Sequence, residues 1–183
     1  LNTEIKDVLI IDKNWRRKHW ATIEQNYRKA PYFDQFESDL RLIYDQNWPR
    51  LGALNIHLTK KIMTWMGIKC TTFRQSNLDV NGGSTSLLIE ICNKVGATSY
   101  ISGPGAKAYL DVAKFRDFGI EVEILPTVLP SPYPQRHKKS FSENLSVLDF
   151  LMNCGETWTE YVRSQGCYPW PFNRALDSKP AQD

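Results

Sequence analysis

Three groups of residues in this chain have the types and spacing to do chemistry. The first is Ser102-Gly-Pro-Gly105, a glycine-rich turn between an apolar, β-prone run and a helical one. Backbone N–H groups in such a turn can approach an anion or a sugar hydroxyl closely. Tyr109 follows one turn into the expected helix, where its hydroxyl can face the same pocket. The second group is Arg16-Arg17-Lys18 with His19 behind it. Cations in the first turn of a helix oppose the macrodipole by roughly 0.3–1 kcal/mol each. The phosphates of an anionic ligand would offset that, as would Asp7 and Asp12 nearby, or solvent alone. His19, with a reference pKa near 6.5, suits proton transfer at neutral pH, although a single helical histidine equally serves packing. The third is two separate local pairs, Tyr133 and Gln135, two apart on a proline-rich loop, and Asp149 and Asn153, one turn apart on a helix. An aromatic plane, two amides and a carboxylate are the means by which proteins hold sugar hydroxyls.

Local structure competes for some of these residues. Ser102 to Gly105 also reads as a plain strand-to-helix connection that uses glycine conformations, and it is neither a dinucleotide fingerprint nor a P-loop. Ser146 and Asp149 have capping-box spacing, with Leu145 and Phe150 placed as a hydrophobic staple, which is a simpler account than a Ser/Asp catalytic pair. His57 reads as a surface residue of a helix and His137 as a loop residue. Three dispersed histidines and four cysteines without Cys-x-x-Cys spacing give no metal-ligating pattern. No metal and no cofactor is expected. Cys70, Cys92, Cys154 and Cys167 read as reduced and mostly buried thiols.

The elements that must position these groups follow from periodicity. Lys6 to Asp12 reads as a short strand, and Asp12 or Asn14 as the cap of a helix from Arg16 to Lys29, closed by Pro31. Phe33, Phe36, Leu40 and Ile43, then Leu51, Leu54, Leu58, Ile62 and Trp65, recur at helical steps and predict two amphipathic helices. Lys69 to Arg74 looks like a strand, and Leu87 to Val95 the stripe of a helix capped by Ser84 and stopped at Gly96. A strand from Thr98 to Ser102, a helix from Ala106 to Phe118 and a strand from Ile120 to Leu125 predict a parallel βαβ-like arrangement. Pro126 to Pro134 reads as an exposed flap followed by the charged loop Arg136 to Lys139. The fold class is therefore α/β, a single domain over residues 1–164, helix-rich in its first third and βαβ-like in its middle, with a proline-containing tail over 165–183.

Composition bounds the partners. With 42% hydrophobic and 12% aromatic residues and a net charge of +3, the chain is globular and carries no broad basic face, so nucleic acid is not an expected partner. A run long enough to span a membrane is absent, and a cytoplasmic location is expected. A homo-oligomer is compatible with the sequence.

Trp15-Arg-Arg-Lys-His19, Tyr27-Arg-Lys-Ala-Pro-Tyr-Phe33, Leu54-Asn55, Tyr100 to Tyr109, Tyr133-Pro-Gln135 and Ser146 to Gly155 occur in one order along the chain. In these segments, from about Ile5 to about Val162, the chain resembles the WbqC-like family of bacterial glycan-biosynthesis proteins. Members of that family carry a further N-terminal portion with a Gln-Pro-x-Tyr-type motif, which nothing before Leu1 supplies. The resemblance implies a part in surface-polysaccharide or O-antigen assembly. It implies as partner a nucleotide sugar or glycan intermediate, and as activity an acyl or aminoacyl transfer onto an amino sugar. On that reading His19 and Asp149 are the catalytic residues. Arg16, Arg17, Ser102, Gly103, Gly105, Tyr109, Tyr133, Gln135 and Asn153 bind substrate. The alternative is a non-catalytic carbohydrate-binding or scaffold protein of the same pathway.

Overall fold

The computed structural model describes residues 3–126, 131–136 and 140–164. Much of the expected flap, the end of the charged loop with His137, and the tail with Cys167 lie outside them. The structure is a mixed α/β arrangement of helices with a small parallel sheet. Its residues gather into two compact units, one built from the chain before Cys70 and after Val128, the other from Cys70–Val128.

The first unit contains α1 (Trp15–Tyr27), α2 (Phe33–Asp45), α3 (Leu51–Trp65), α6 (Val147–Cys154) and α7 (Trp158–Ser164). In α2 the predicted stripe of Phe33, Phe36, Leu40 and Ile43 is buried throughout. Phe33, Phe36 and Leu40 pack with Trp20 and Ile23 of α1, Trp65 of α3 and Leu151 and Met152 of α6 in one cluster. Each such side chain contributes about 1.5–3 kcal/mol by leaving water, which outweighs the weak helix preference of so many aromatic residues. The short α6 is the centre of this unit, with Asp149, Phe150, Leu151, Met152 and Asn153 all buried. Ser146 caps it by accepting the Leu148 N–H at 3.3 Å. Its far end is set by Gly155, whose φ of 67° and ψ of −148° belong to glycine.

Two expected strands do not form in this part of the chain. Lys6 to Asp12 yields a 3-10 turn over Ile5–Asp7 and a single antiparallel bridge between Leu9 and Arg50. Bonds from the Ile10 N–H to Pro49 (3.1 Å) and from the Leu51 N–H to Val8 (3.0 Å) flank it. The opposing segment turns into α3 at Leu51, so no ladder can extend. Ile5 and Ile11 therefore stay more than four-fifths exposed. Lys69 to Arg74 likewise finds no neighbour to pair with and has no regular structure. At the start of α1 Asn14 makes no side-chain cap; its own N–H donates to Asp12 Oδ1 at 2.7 Å.

The second unit contains α4 (Ser84–Lys94), β1 (Ser99–Ser102), α5 (Val112–Asp117) and β2 (Glu121–Ile124). The strands pair in parallel, Ser99 with Glu121 through Ser102 with Ile124, as the βαβ reading predicts. Ile89, Cys92, Ala106, Leu110, Phe115 and Ile120 form the core under this sheet, and Tyr100 stacks on Phe115 at 5.0 Å. The helix expected from Ala106 to Phe118 is broken into a 3-10 segment, Pro104–Ala108, and α5. Asp111 causes the break: its N–H donates to Thr85 Oγ1 at 3.2 Å and its side chain caps the Lys114 N–H at 3.1 Å. Gly83, not Ser84, takes the N-cap position of α4.

Candidate functional site

The glycine turn belongs to the second unit. Ser102 ends β1, and its carbonyl accepts the Leu125 N–H at 2.8 Å. Neither Gly103 nor Gly105 adopts a left-handed conformation, and a Cβ at either would meet nothing within 4 Å. The turn therefore does not use the conformations that glycine alone provides. The Ala106 N–H is taken by the Gly103 carbonyl at 3.1 Å. Tyr109 follows the 3-10 segment instead of standing on a helix, and it is exposed.

At the start of α1, in the first unit, most of the cationic turn is matched by protein groups. Arg16 Nη1 donates to the carbonyls of Gln46 (2.7 Å) and Asp45 (3.3 Å) at the end of α2, where the helix dipole is negative. Lys18 pairs with Asp12 at 3.1 Å across a solvated surface, a contact of small energetic weight. A bond from the Asn14 N–H, then the Lys18 contact, holds the Asp12 carboxyl below its usual pKa. The Arg17 side chain is exposed and makes no hydrogen bond or ion pair among the described residues. The His19 ring meets Trp15 edge-on at 5.3 Å and lies 6.2 Å from Tyr44.

The residues that do converge are those of the third group. Tyr133 and Gln135 project to the same side, as residues two apart in an extended segment do, and both reach one oxygen. The Tyr133 hydroxyl donates to Asp149 Oδ2 at 3.0 Å and Gln135 Nε2 to the same atom at 3.1 Å. Gln135 is itself clamped, donating to the Ser142 carbonyl at 2.9 Å and accepting the Ser142 N–H at 2.8 Å. Asn153 accepts the Arg136 N–H at 3.1 Å and donates to the Asp149 carbonyl at 2.8 Å. The predicted capping box is thus half made: Ser146 caps, while the Asp149 side chain turns to Tyr133 and Gln135. Phe150, in place of a staple with the exposed Leu145, packs against the rings of Tyr133, Trp158 and Tyr161 at 4.9–5.2 Å.

Asp149 is 6% exposed, so its carboxylate owes its place to these donors. Its charge is felt by the groups around it. The hydroxyl of Tyr27, on α1, is pushed up to about 12 by burial first and then by the charge and hydrogen bond of Asp149. Burial likewise raises Tyr133 to about 12, against a lowering bond with Gln135 and with Asp149 adding to the rise. The Cys154 thiol is raised by burial and then by Asp149. Beside this group opens a cleft of about 390 Å³ lined by Lys29, Pro31, Pro134, Gln135, Arg136 and Asn153. His19 lies two turns before Tyr27 on α1, about 12 Å along the axis, and is not part of the hydrogen-bonded group.

Tyr27, Lys29, Arg136 and Ser142 were not read as site residues from sequence. Tyr27 and Lys29 stand at the end of α1 just before Pro31, and only the fold brings them to α6. Among the described residues no group of three or more metal-ligating side chains occurs, and no helix is long and apolar enough to cross a membrane.

The segments that build this group lie within residues 1–161, which match the sequence model of the WbqC-like protein family. The chain belongs to that family. It is 30% identical over 161 residues to an uncharacterized protein of Mycobacterium tuberculosis, Rv1507c, in a match covering 87% of this chain and 69% of the relative. A shorter match, 32% identical over 82 residues, is to the small ribosomal subunit protein uS10m of Candida glabrata and covers 43% of this chain and 35% of that one. No solved structure matches the chain.

Proposed function

We propose that this WbqC-like protein takes part in bacterial surface-polysaccharide or O-antigen biosynthesis on the cytoplasmic side, binding a nucleotide-linked amino sugar and transferring an acyl or aminoacyl group to it. The observation that carries the reading is the buried Asp149, gripped by Tyr133 and by Gln135, the latter lining a cleft. Burying a carboxylate costs several kcal/mol unless it is well paired, and here the pairing fixes the loop whose Gln135 and Arg136, with Asn153 and Lys29, set two amides and two cations around one concavity. In the transfer, the sugar nitrogen attacks the acyl carbonyl. The new C–N bond forms as the bond to the donor's leaving group breaks, and the amine proton passes to a base. The base is not among the residues that line the cleft: His19, the candidate read from the sequence, stands about 12 Å along α1 from Tyr27, while Asp149, through Tyr133 and Gln135, orders the wall against which the sugar binds.

One observation favours the second reading, a binding or scaffold protein without turnover. Among the described residues no buried side-chain polar atom lacks a hydrogen-bond partner, which leaves a well-ordered wall but no free buried base. Incubation of the protein with a nucleotide-linked amino sugar and an acyl donor, read by product mass, separates the two. A sugar that gains the acyl mass supports the transferase. Saturable binding with the sugar returned unchanged refutes it in favour of the scaffold.

A further inference from the structure

We infer that the cleft beside α6 holds the phosphate-bearing part of its ligand between Lys29 and Arg136, and that the anion does not sit at the Arg16-Arg17-Lys18 turn. This rests on the cleft being the ligand site proposed above. Gln135 uses its amide nitrogen on Asp149 and Ser142 and its oxygen on Ser142. Asn153 uses its nitrogen on the Asp149 carbonyl and its oxygen on the Arg136 N–H. Pro31 and Pro134 have no N–H to offer. The charged donors left to a ligand are the ammonium of Lys29 and the guanidinium of Arg136, which have no ion pair or hydrogen bond from their side chains among the described residues; beside them Asn153 keeps one neutral amide N–H. An ammonium has three N–H donors and a guanidinium five, the latter in a fork that matches two phosphate oxygens.

Arg136 is also prepared for the task. Its backbone is fixed to Asn153 on a buried helix, so less freedom is lost when its side chain closes on an anion. Between Pro134 and the Asn153 bond, the short stretch carrying Gln135 and Arg136 has little play. At the rival turn at the start of α1 two of the three cations are committed, since Arg16 grips the end of α2 and Lys18 pairs with Asp12, which leaves Arg17 alone where the cleft offers a pair. The neighbouring groove on α1, lined by Ala21, Glu24, Gln25, Arg28 and Lys29, also holds two cations, but Glu24 offsets one of them, whereas no acid lines the cleft beside α6.

The test is calorimetric titration of the chain with inorganic pyrophosphate and with uridine diphosphate at about 0.15 M salt. Lys29→Ala and Arg136→Ala should each weaken binding of both probes by roughly tenfold or more, as expected for a lost charge-assisted contact. Arg136→Lys should fall between Arg136→Ala and the parent, because it keeps the charge and loses the fork. Arg17→Glu should change affinity no more than twofold. Both target residues are exposed, so thermal unfolding of the variants should match the parent. Equal weakening by Arg17→Glu and Lys29→Ala, or no binding of either probe by the parent, overturns the inference. Acyl transfer that persists undiminished in the Lys29→Ala/Arg136→Ala double variant also overturns it while leaving the transferase reading in place. Probe binding through Lys29 and Arg136 in a chain that transfers nothing removes the transferase reading alone.

Discussion

Gly155→Ala should destabilise the first unit through two separable terms. The residue has φ 67° and ψ −148°, a region that residues with a Cβ almost never enter, at a cost of order 1–3 kcal/mol. A Cβ built there would also stand 2.7 Å from Cδ1 and 2.8 Å from Cε1 of Tyr32. Overpacking of that kind costs about 1–3 kcal/mol, but Tyr32 is 39% exposed and its ring can swing aside, so the lower end applies. The expected total is about 2–4 kcal/mol, the greater part from the backbone. Urea unfolding followed by circular dichroism gives the number from the midpoint shift at constant slope. The variant pair Tyr32→Ala and Tyr32→Ala/Gly155→Ala then separates the terms, because removing the ring should recover the steric share and leave the backbone share. A Gly155→Ala protein within 0.5 kcal/mol of the parent (the usual scatter of surface substitutions) would refute the reasoning. Complete recovery in the double variant would show that the backbone relaxes freely.

Ser146→Ala should cost roughly 0.5–2 kcal/mol of stability, and Ser146→Asp should be nearly neutral, since aspartate caps a helix as serine does; thermal melts of the two variants compare them directly. Tyr27 and Tyr133, each raised to about 12, should ionise after the ordinary tyrosines in an ultraviolet titration. Because the folded state holds these protons more tightly than the unfolded chain, their contribution is complete below pH about 10 and falls away as pH rises towards about 12. Urea midpoints that rose over that interval would contradict the sign. Among the described cysteines Cys70 is exposed, against the expectation of mostly buried thiols, while Cys92 is buried and raised in pKa by desolvation. A disulfide reagent applied to native protein should therefore modify Cys70 first and Cys92 only on unfolding, with peptide mass mapping to tell them apart.

The elements legible in the sequence are those whose burial repeats at a regular step. α2 and α3 could be read from Phe33 to Ile43 and from Leu51 to Trp65 because one face of each is apolar over three turns or more. The parallel pair β1 and β2 could be read from the helical stretch between them. The failures share one cause, a partner that local pattern does not contain. Val8 to Ile11 has the composition of a strand, yet pairing needs a neighbour, and Arg50 offers one residue's worth. Asp111 interrupts a good helical pattern because Thr85, far earlier in the chain, takes its N–H. The site divides in the same way. Tyr133 with Gln135 and Asp149 with Asn153 were each visible as local pairs with side chains on one face. That the two pairs share a carboxylate, and that Tyr27 and Ser142 complete the group, depends on α1 and the loop before α6 meeting in space. The Arg16 contact with α2 was invisible for the same reason, so its charge looked uncompensated.

Gly103 and Gly105 carry a consequence of another kind. Glycine gives the unfolded chain more freedom than any other residue, and replacing it by alanine where the native backbone allows a Cβ usually adds about 0.4–1 kcal/mol of stability. The two positions meet that condition, with ordinary backbone angles and open space where each methyl group would stand. Native stability thus does not call for glycine at either place, and alanine there is a substitution whose effect on folding and whose effect on any ligand can be read apart. A variant that melts higher yet binds less would locate, by the size of two added methyl groups, a molecule that comes up against this turn.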